Sequence, residues 1–172
     1  MADVWKPSVT VAAVMQRGDR FCLVEEEADG RLVYNQPAGH WEPGETLADA
    51  CAREALEETA HAFRPTHLLG VYRWHYAPKM RRTLPPLPPE ERESERALSA
   101  TEGVTFLRFA FLGEVLGATD RPLDREIRRV LWLTPEEARV ARDRHRSPLV
   151  MACIDDSLAG RRYPLDVIRH YQ

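Results

Sequence analysis

The residues best suited to chemistry lie between Gly39 and Glu58, in the run GHWEPGETLADACAREALEE. Glu54, Glu57 and Glu58 stand at i, i+3 and i+4, so a helix puts them on one face. Like charges at that spacing repel, by roughly 0.2–0.5 kcal/mol per pair. Arg53, four residues before Glu57, offsets only part of this. An acidic helix face is ordinarily just solvated. Here, however, the three acids follow directly on a Gly/Pro-rich loop, and the small residues Ala48, Ala52 and Ala55 allow close packing onto a sheet. A hard divalent cation, Mg²⁺ with Mn²⁺ able to substitute, is the natural counter-charge, because such ions take carboxylates, waters and substrate phosphates as ligands. A backbone carbonyl near Gly39 can add to the set, since glycine lets backbone and ligand approach closely. The chemistry implied is metal-assisted attack of water on phosphorus.

The elements that must position these residues can be read from pattern. Residues 46–59 form a helix, with Thr46 and Asp49 spaced as a capping box. It should end by Arg64, ahead of Pro65. Residues 8–16 and 21–26 read as a hairpin around Arg17-Gly18-Asp19, and Asp29-Gly30 turns the chain into a third short strand at 32–35. Residues 36–46 are loop or broken strand. Downstream, 67–76, 104–116 and 128–133 read as strands. A second helix opens at Thr134-Pro135, and a last one runs from Ser147-Pro148 to about Ala159, stopped by Gly160. Between 79 and 103 the pattern breaks into a proline run and mixed charge. This reads as an insertion joining two strands, mobile in the simplest case, with a lid or an interaction arm as the functional alternative.

Composition excludes several classes of function. The chain has 172 residues, 44% hydrophobic and 30% charged, enough for one domain spanning 1–172 with a sizeable core. A net charge of −3 argues against a nucleic-acid or membrane-surface partner. Cys22, Cys51 and Cys153 form no CxxC pair, so neither a zinc site nor a disulfide framework is expected, and they read as reduced residues of a cytoplasmic protein. No signal peptide or membrane-spanning run is seen. The histidines show no metal-ligand spacing. Ser147 and Cys51 have no base at a telling distance, so a covalent nucleophile is not supported.

The pattern G-x5-E-x7-R-E-x-x-E-E, met by Gly39, Glu45, Arg53, Glu54, Glu57 and Glu58, resembles the signature box of the Nudix hydrolases. Common residues at six fixed positions coincide by chance on the order of once in ten million windows. The resemblance implies an α/β fold, an α/β/α sandwich with a mixed β-sheet. It implies that Glu54, Glu57 and Glu58, with Gly39, hold the metal, and that Glu45 pairs with Arg53 to fix the loop on the helix. A further carboxylate outside the box often serves as ligand or general base; Glu126 is the first candidate and Asp124 the second. The match departs at Ala60 and His61, where the family has glycine and an aliphatic residue. Alanine is costly in the left-handed conformation, so the helix is expected to run a few residues further. The segments KPSVTVAAVM, NQPAGHWEPGETL, RWHYAPK, TFLRFAF, SPLV and GRRYPL, in that order, resemble the NudJ-type phosphatases within this superfamily. That implies release of phosphate from nucleoside di- and triphosphates, and action on hydroxymethylpyrimidine and thiamine diphosphates.

For the substrate, Trp74 offers a face on which a ring can stack, beside His75 and Tyr76. Arg73 and Arg108, on the long strands, are candidates for phosphate contacts, because arginine holds phosphate oxygens bidentately. His40 follows the box glycine and is placed to face substrate. Arg139, Arg142 and Arg146 read as one solvated helix face. The expected partner is a small-molecule di- or triphosphate, and the chain a monomer or homodimer. The rival readings are a Nudix hydrolase of another substrate, such as a nucleotide sugar or dinucleotide polyphosphate, and a non-catalytic Nudix module that binds ligand. A pure binding module has no reason to keep three mutually repelling acids.

Overall fold

In the computed structural model, described for residues 5–28, 30–77 and 103–171, nine strands and three α-helices are found. β1 (Ser8–Val14) is apolar at consecutive positions, and Val11, Ala12, Ala13 and Val14 are all buried. A strand of that kind must be covered on both faces. Val11 and Ala13 belong to one core cluster and Ala12 and Val14 to another, as period-two alternation requires. β1 runs parallel to β7 (Val104–Ala118) and antiparallel to β5 (Ala38–His40), so the sheet is mixed. Its order is β5-β1-β7-β6-β9, with β6 (His61–Tyr76) antiparallel to β7 and β9 (Tyr163–Pro164) at the edge. A second antiparallel sheet is built on β3 (Arg20–Ala28), which pairs with β2 (Gln16–Arg17), β4 (Arg31–Asn35) and β8 (Ile127–Leu133).

Helix α1 (Leu47–Thr59) covers one face of the mixed sheet, and α2 (Pro135–Val140) and α3 (Leu149–Leu158) lie against the other core. The expected α/β/α sandwich is therefore the fold. α1 packs through Leu47, Ala50, Cys51 and Ala55. Ala48 and Ala52, expected on that face with Ala55, are only partly buried. The true stripe continues to Glu58, seven residues beyond Cys51, so a carboxylate sits on the apolar side of the helix.

Several expectations need correction. α1 does not run on past its signature. It stops at Thr59, and Ala60 takes the left-handed conformation at φ 54°, its N–H donating to the Leu56 carbonyl. Such a residue costs roughly 1–3 kcal/mol and persists only where its surroundings determine it. Here they do: both the N–H and the hydroxyl of Thr119 donate to the Ala60 carbonyl, at 2.7 and 3.1 Å, and β6 pairs with β7 from His61 onward. Residues 61–66 are strand although they contain Pro65, which sits at a break in the β6–β7 register, where a strand tolerates proline. Arg139, Arg142 and Arg146 share no helix, because α2 ends at Val140 and a single 3₁₀ turn, Arg142–Arg144, follows. The expected insertion at 79–103 lies, except for Gly103, outside the described residues.

Candidate active site

The small side chains of α1 let it sit close to β5, and that closeness builds the site. A Cβ on Gly39 would overlap the Glu54 carboxylate, so glycine is what lets that side chain lie against the strand in this position. One residue earlier, the Ala38 N–H donates to Glu58 Oε2 at 2.9 Å. Two carboxylates of the helix thus meet two successive residues of one short strand.

Arg53 locks the preceding loop to the helix. Its Nε and Nη2 donate to Glu45 at 3.0 and 2.8 Å, and Nη2 also donates to the His40 carbonyl at 3.0 Å. Its Nη1 donates to Glu54 at 2.7 Å and Glu57 at 3.1 Å. The pairing expected between Glu45 and Arg53 is present and bidentate. The loop is also closed on itself, with Trp41 Nε1 donating to the Glu45 carbonyl and the Glu42 N–H to the Glu45 carboxylate. The Thr46 hydroxyl accepts from the Asp49 N–H and starts the helix.

The three helix acids differ in environment. Burial pushes Glu58 up to about 9; its hydrogen bond from Ala38 opposes this, and the charges of Glu26, Glu54 and Asp124 add to it. Burial also raises Glu54, against the pull of Arg53. Glu57 is held between Arg53 and Arg121, whose Nη2 donates to it at 2.9 Å. The arrangement suits a divalent cation in its chemistry: hard oxygen donors, one of them buried and without a hydrogen-bonded cation among the described residues, beside a backbone that glycine leaves open. Among the described residues, no three such side chains stand close enough to grip an ion as they are. Arg53 now occupies the space between Glu54 and Glu57.

The other expected residues are distributed around this centre. Asp124 lies in the field of both Glu54 and Glu58, and its N–H donates to the Glu57 carbonyl at 3.1 Å. Glu126 is exposed, lies in the field of Glu26, and lines an open cleft of about 390 Å³ with Arg125 and Arg128. His40 is exposed, its ring 3.0 Å from the Ser8 hydroxyl. Trp74 stacks on Phe106 with ring centres 5.5 Å apart. The structure does not bring Arg73 and Arg108 together. Tyr72 pairs with Arg108 and Arg73 with Leu107, so the two arginines emerge on opposite faces of the sheet. Arg73 is exposed and Arg108 is buried. Sequence reasoning missed Glu26, an acid only 9% exposed, raised by burial and repelled by Glu126. The burial of every residue from Phe21 to Glu26 in β3 is the signal that sets it apart.

Known proteins bear on this geometry. A model of the NUDIX domain matches residues 5–152. The phosphatase NudJ of Escherichia coli (strain K12) is 35% identical over 166 residues, 96% of this chain and 92% of its own length. A NUDIX hydrolase from Nitrosomonas europaea has a solved structure that is 44% identical, with a TM-score of 0.80 over 96% of this chain and 98% of that one. A MutT protein from Methanosarcina mazei Go1, at 17% identity and a TM-score of 0.64, shares the fold. With its carboxylate helix set over a glycine-floored strand and the family model covering most of its length, the chain belongs to the Nudix hydrolases, enzymes that cleave phosphoric anhydride bonds and generally work with a divalent metal.

Proposed function

We propose that this protein is a Mg²⁺-dependent phosphatase of the NudJ type that releases phosphate from nucleoside di- and triphosphates, with hydroxymethylpyrimidine and thiamine diphosphates in the same substrate class. The observation that carries this is the convergence of Glu54 and Glu58 on the Ala38–Gly39 backbone, with Glu57 beside them. The 35% identity to a phosphatase NudJ supports the choice of terminal phosphate as leaving group.

Glu54, Glu57, Glu58 and the Gly39 carbonyl are the residues that would hold Mg²⁺. A bound divalent ion supplies an acidified water and neutralises charge on the phosphoryl oxygens. Arg53 keeps the loop 40–46 in register with the helix and balances the acids while no ion is bound. Of the two acids outside the signature, Asp124 is better placed than Glu126 to accept a proton from water at the metal face, because its charge reaches Glu54 and Glu58 directly. His40, exposed at the end of β5 next to Gly39, is the contact proposed for the phosphate chain. The test is a substrate panel: phosphate and pyrophosphate release from nucleoside di- and triphosphates, thiamine diphosphate and a nucleotide sugar, with Mg²⁺ and with chelator. Phosphate from the diphosphates, only with metal, is expected. Turnover confined to the nucleotide sugar would overturn the phosphatase reading.

A further inference from the structure

Both carboxylate oxygens of Glu57 are held by arginines, and the two arginines are tethered very differently. Arg53 Nη1 donates to Glu57 Oε2 at 3.1 Å, and Arg121 Nη2 donates to Glu57 Oε1 at 2.9 Å. Arg53 is locked, since its other bonds run to both oxygens of Glu45, to Glu54 and to the His40 carbonyl. Arg121 has no such set. Among the described residues its side chain makes that one hydrogen bond, and it is 44% exposed. A single ion pair of that exposure is weak, stabilising its bound state about fivefold or less.

The backbone around Arg121, by contrast, is fixed. It lies in the 119–126 loop between β7 and β8. The Thr119 N–H and hydroxyl both donate to the Ala60 carbonyl, and the Asp124 N–H donates to the Glu57 carbonyl at 3.1 Å. Both acceptors belong to the C-terminal end of α1. Arg121 is thus tied to the carboxylate helix on either side of itself, and its guanidinium stays beside the acid face even when its bond to Glu57 is broken. A divalent cation held by Glu57 needs one of the two oxygens. Oε1 is the one whose partner is free to go, and a guanidinium and a metal ion on the same carboxylate repel each other. The freed fork matches phosphate oxygens as well as it matches a carboxylate.

We propose that Arg121 is the exchangeable counter-ion of the acid face. It neutralises Glu57 in the metal-free protein, gives up Oε1 to the divalent cation, and then donates to an oxygen of the substrate's phosphate chain. Arg53 keeps its place throughout. The two arginines thereby divide the work, one building the face and the other passing from protein to substrate. This inference rests on the metal-dependent reading above and assigns to that site a residue outside the signature.

The test is Mn²⁺ binding to the full chain, followed by the paramagnetic resonance of the free ion, in the wild type and in Arg121→Gln. Binding of a methylene-bridged nucleoside diphosphate, which cannot be cleaved, is then measured in saturating Mn²⁺. Arg121→Gln is expected to bind Mn²⁺ about threefold more tightly, the scale of an exposed ion pair that no longer competes. It should bind the diphosphate analogue at least ~10-fold more weakly, the scale of a lost hydrogen bond from a charged group. A role confined to anchoring the loop would weaken both. Arg121→Lys keeps the charge without the fork, so its Mn²⁺ affinity should stay within about twofold of the wild type while analogue binding falls at least ~3-fold. Mn²⁺ binding unchanged or weakened in Arg121→Gln, or analogue binding unchanged in either variant, would overturn this inference alone. No Mn²⁺ binding to the wild type at millimolar concentration would overturn the metal-dependent reading and this inference with it.

Discussion

Glu58→Gln separates stability from function at a single residue. Glu58 lies on the packing stripe of α1, 8% exposed, and burial raises it from an ordinary 4.5 to about 9. Between those values the folded chain keeps a proton that the unfolded chain has released. Stability therefore falls as pH rises through that window, the reverse of the usual carboxylate behaviour. At pH 7.5, three decades above 4.5, the ceiling on this loss is about 4 kcal/mol. The charges of Glu26, Glu54 and Asp124 contribute to the rise along with burial, and the full ceiling is not reached in a coupled cluster, so about 2 kcal/mol is the working expectation. Glutamine keeps the volume and can still accept from the Ala38 N–H, but carries no charge to bury. In chelator at pH 8 the variant should melt roughly 4–8 °C above the wild type, from the usual relation of Tm to free energy at this size. At pH 5 the two should nearly coincide. Hydrolysis should fall at least ~10²-fold, because a charge that acts on the transition state is lost. A variant that melts lower than the wild type at pH 8, or that gains equally at both pH values, would refute the reasoning.

Gly39→Ala places a methyl where the Glu54 carboxylate lies, so turnover should drop at least ~10²-fold through misplacement of one acid, with circular dichroism unchanged. Arg53→Lys loses the fork that joins Glu45, Glu54, Glu57 and the His40 carbonyl, and a point charge cannot replace it. The expected results are at least ~10-fold lower kcat and faster proteolysis within residues 40–46, the cost of losing oriented charge-assisted bonds. Glu25 is a different kind of acid, bound by Arg129 at 2.8 and 3.1 Å and by Arg144 at 2.6 Å, with Arg144 lying 4.2 Å over the Tyr34 ring. The Arg129 hydrogen bonds hold it below the usual range, so its contribution is present above the unfolded value and is lost as acid protonates it. Glu25→Gln should cost about 2 kcal/mol at neutral pH, read by denaturant melts, while turnover per folded molecule stays within about threefold.

The acid face was readable because its logic is local. A helix fixes the relation of Glu54, Glu57 and Glu58 by spacing alone, and Thr46 announces where that helix starts. The fold was readable where apolar pattern and turns agree, as in β1, β3 and α3. What could not be read depends on contacts distant in the chain. Ala60 adopts its conformation because Thr119, far along the chain, anchors its carbonyl. Pro65 looks like a terminator, yet β7 carries a strand through it at a register break. Alternation shows that a strand has two faces, but only the β6–β7 register shows that Arg73 and Arg108 lie on opposite ones. Glu26 ends the strand expected at 21–26, in a run of three acids, Glu25 to Glu27, where nothing in the local pattern says which are buried. Pairing of β3 with β4 and β8 buries two of them and sends one to arginines and the other to Asn35.

The proposed reaction is hydrolysis at the terminal phosphorus of a substrate held over the helix acids. Phosphorus NMR of a nucleoside triphosphate with Mg²⁺ and the wild-type protein tests it most directly. Diphosphate and inorganic phosphate are expected first, monophosphate later, and nothing in chelator. Pyrophosphate and monophosphate appearing together from the first time points, with no diphosphate intermediate, would contradict it.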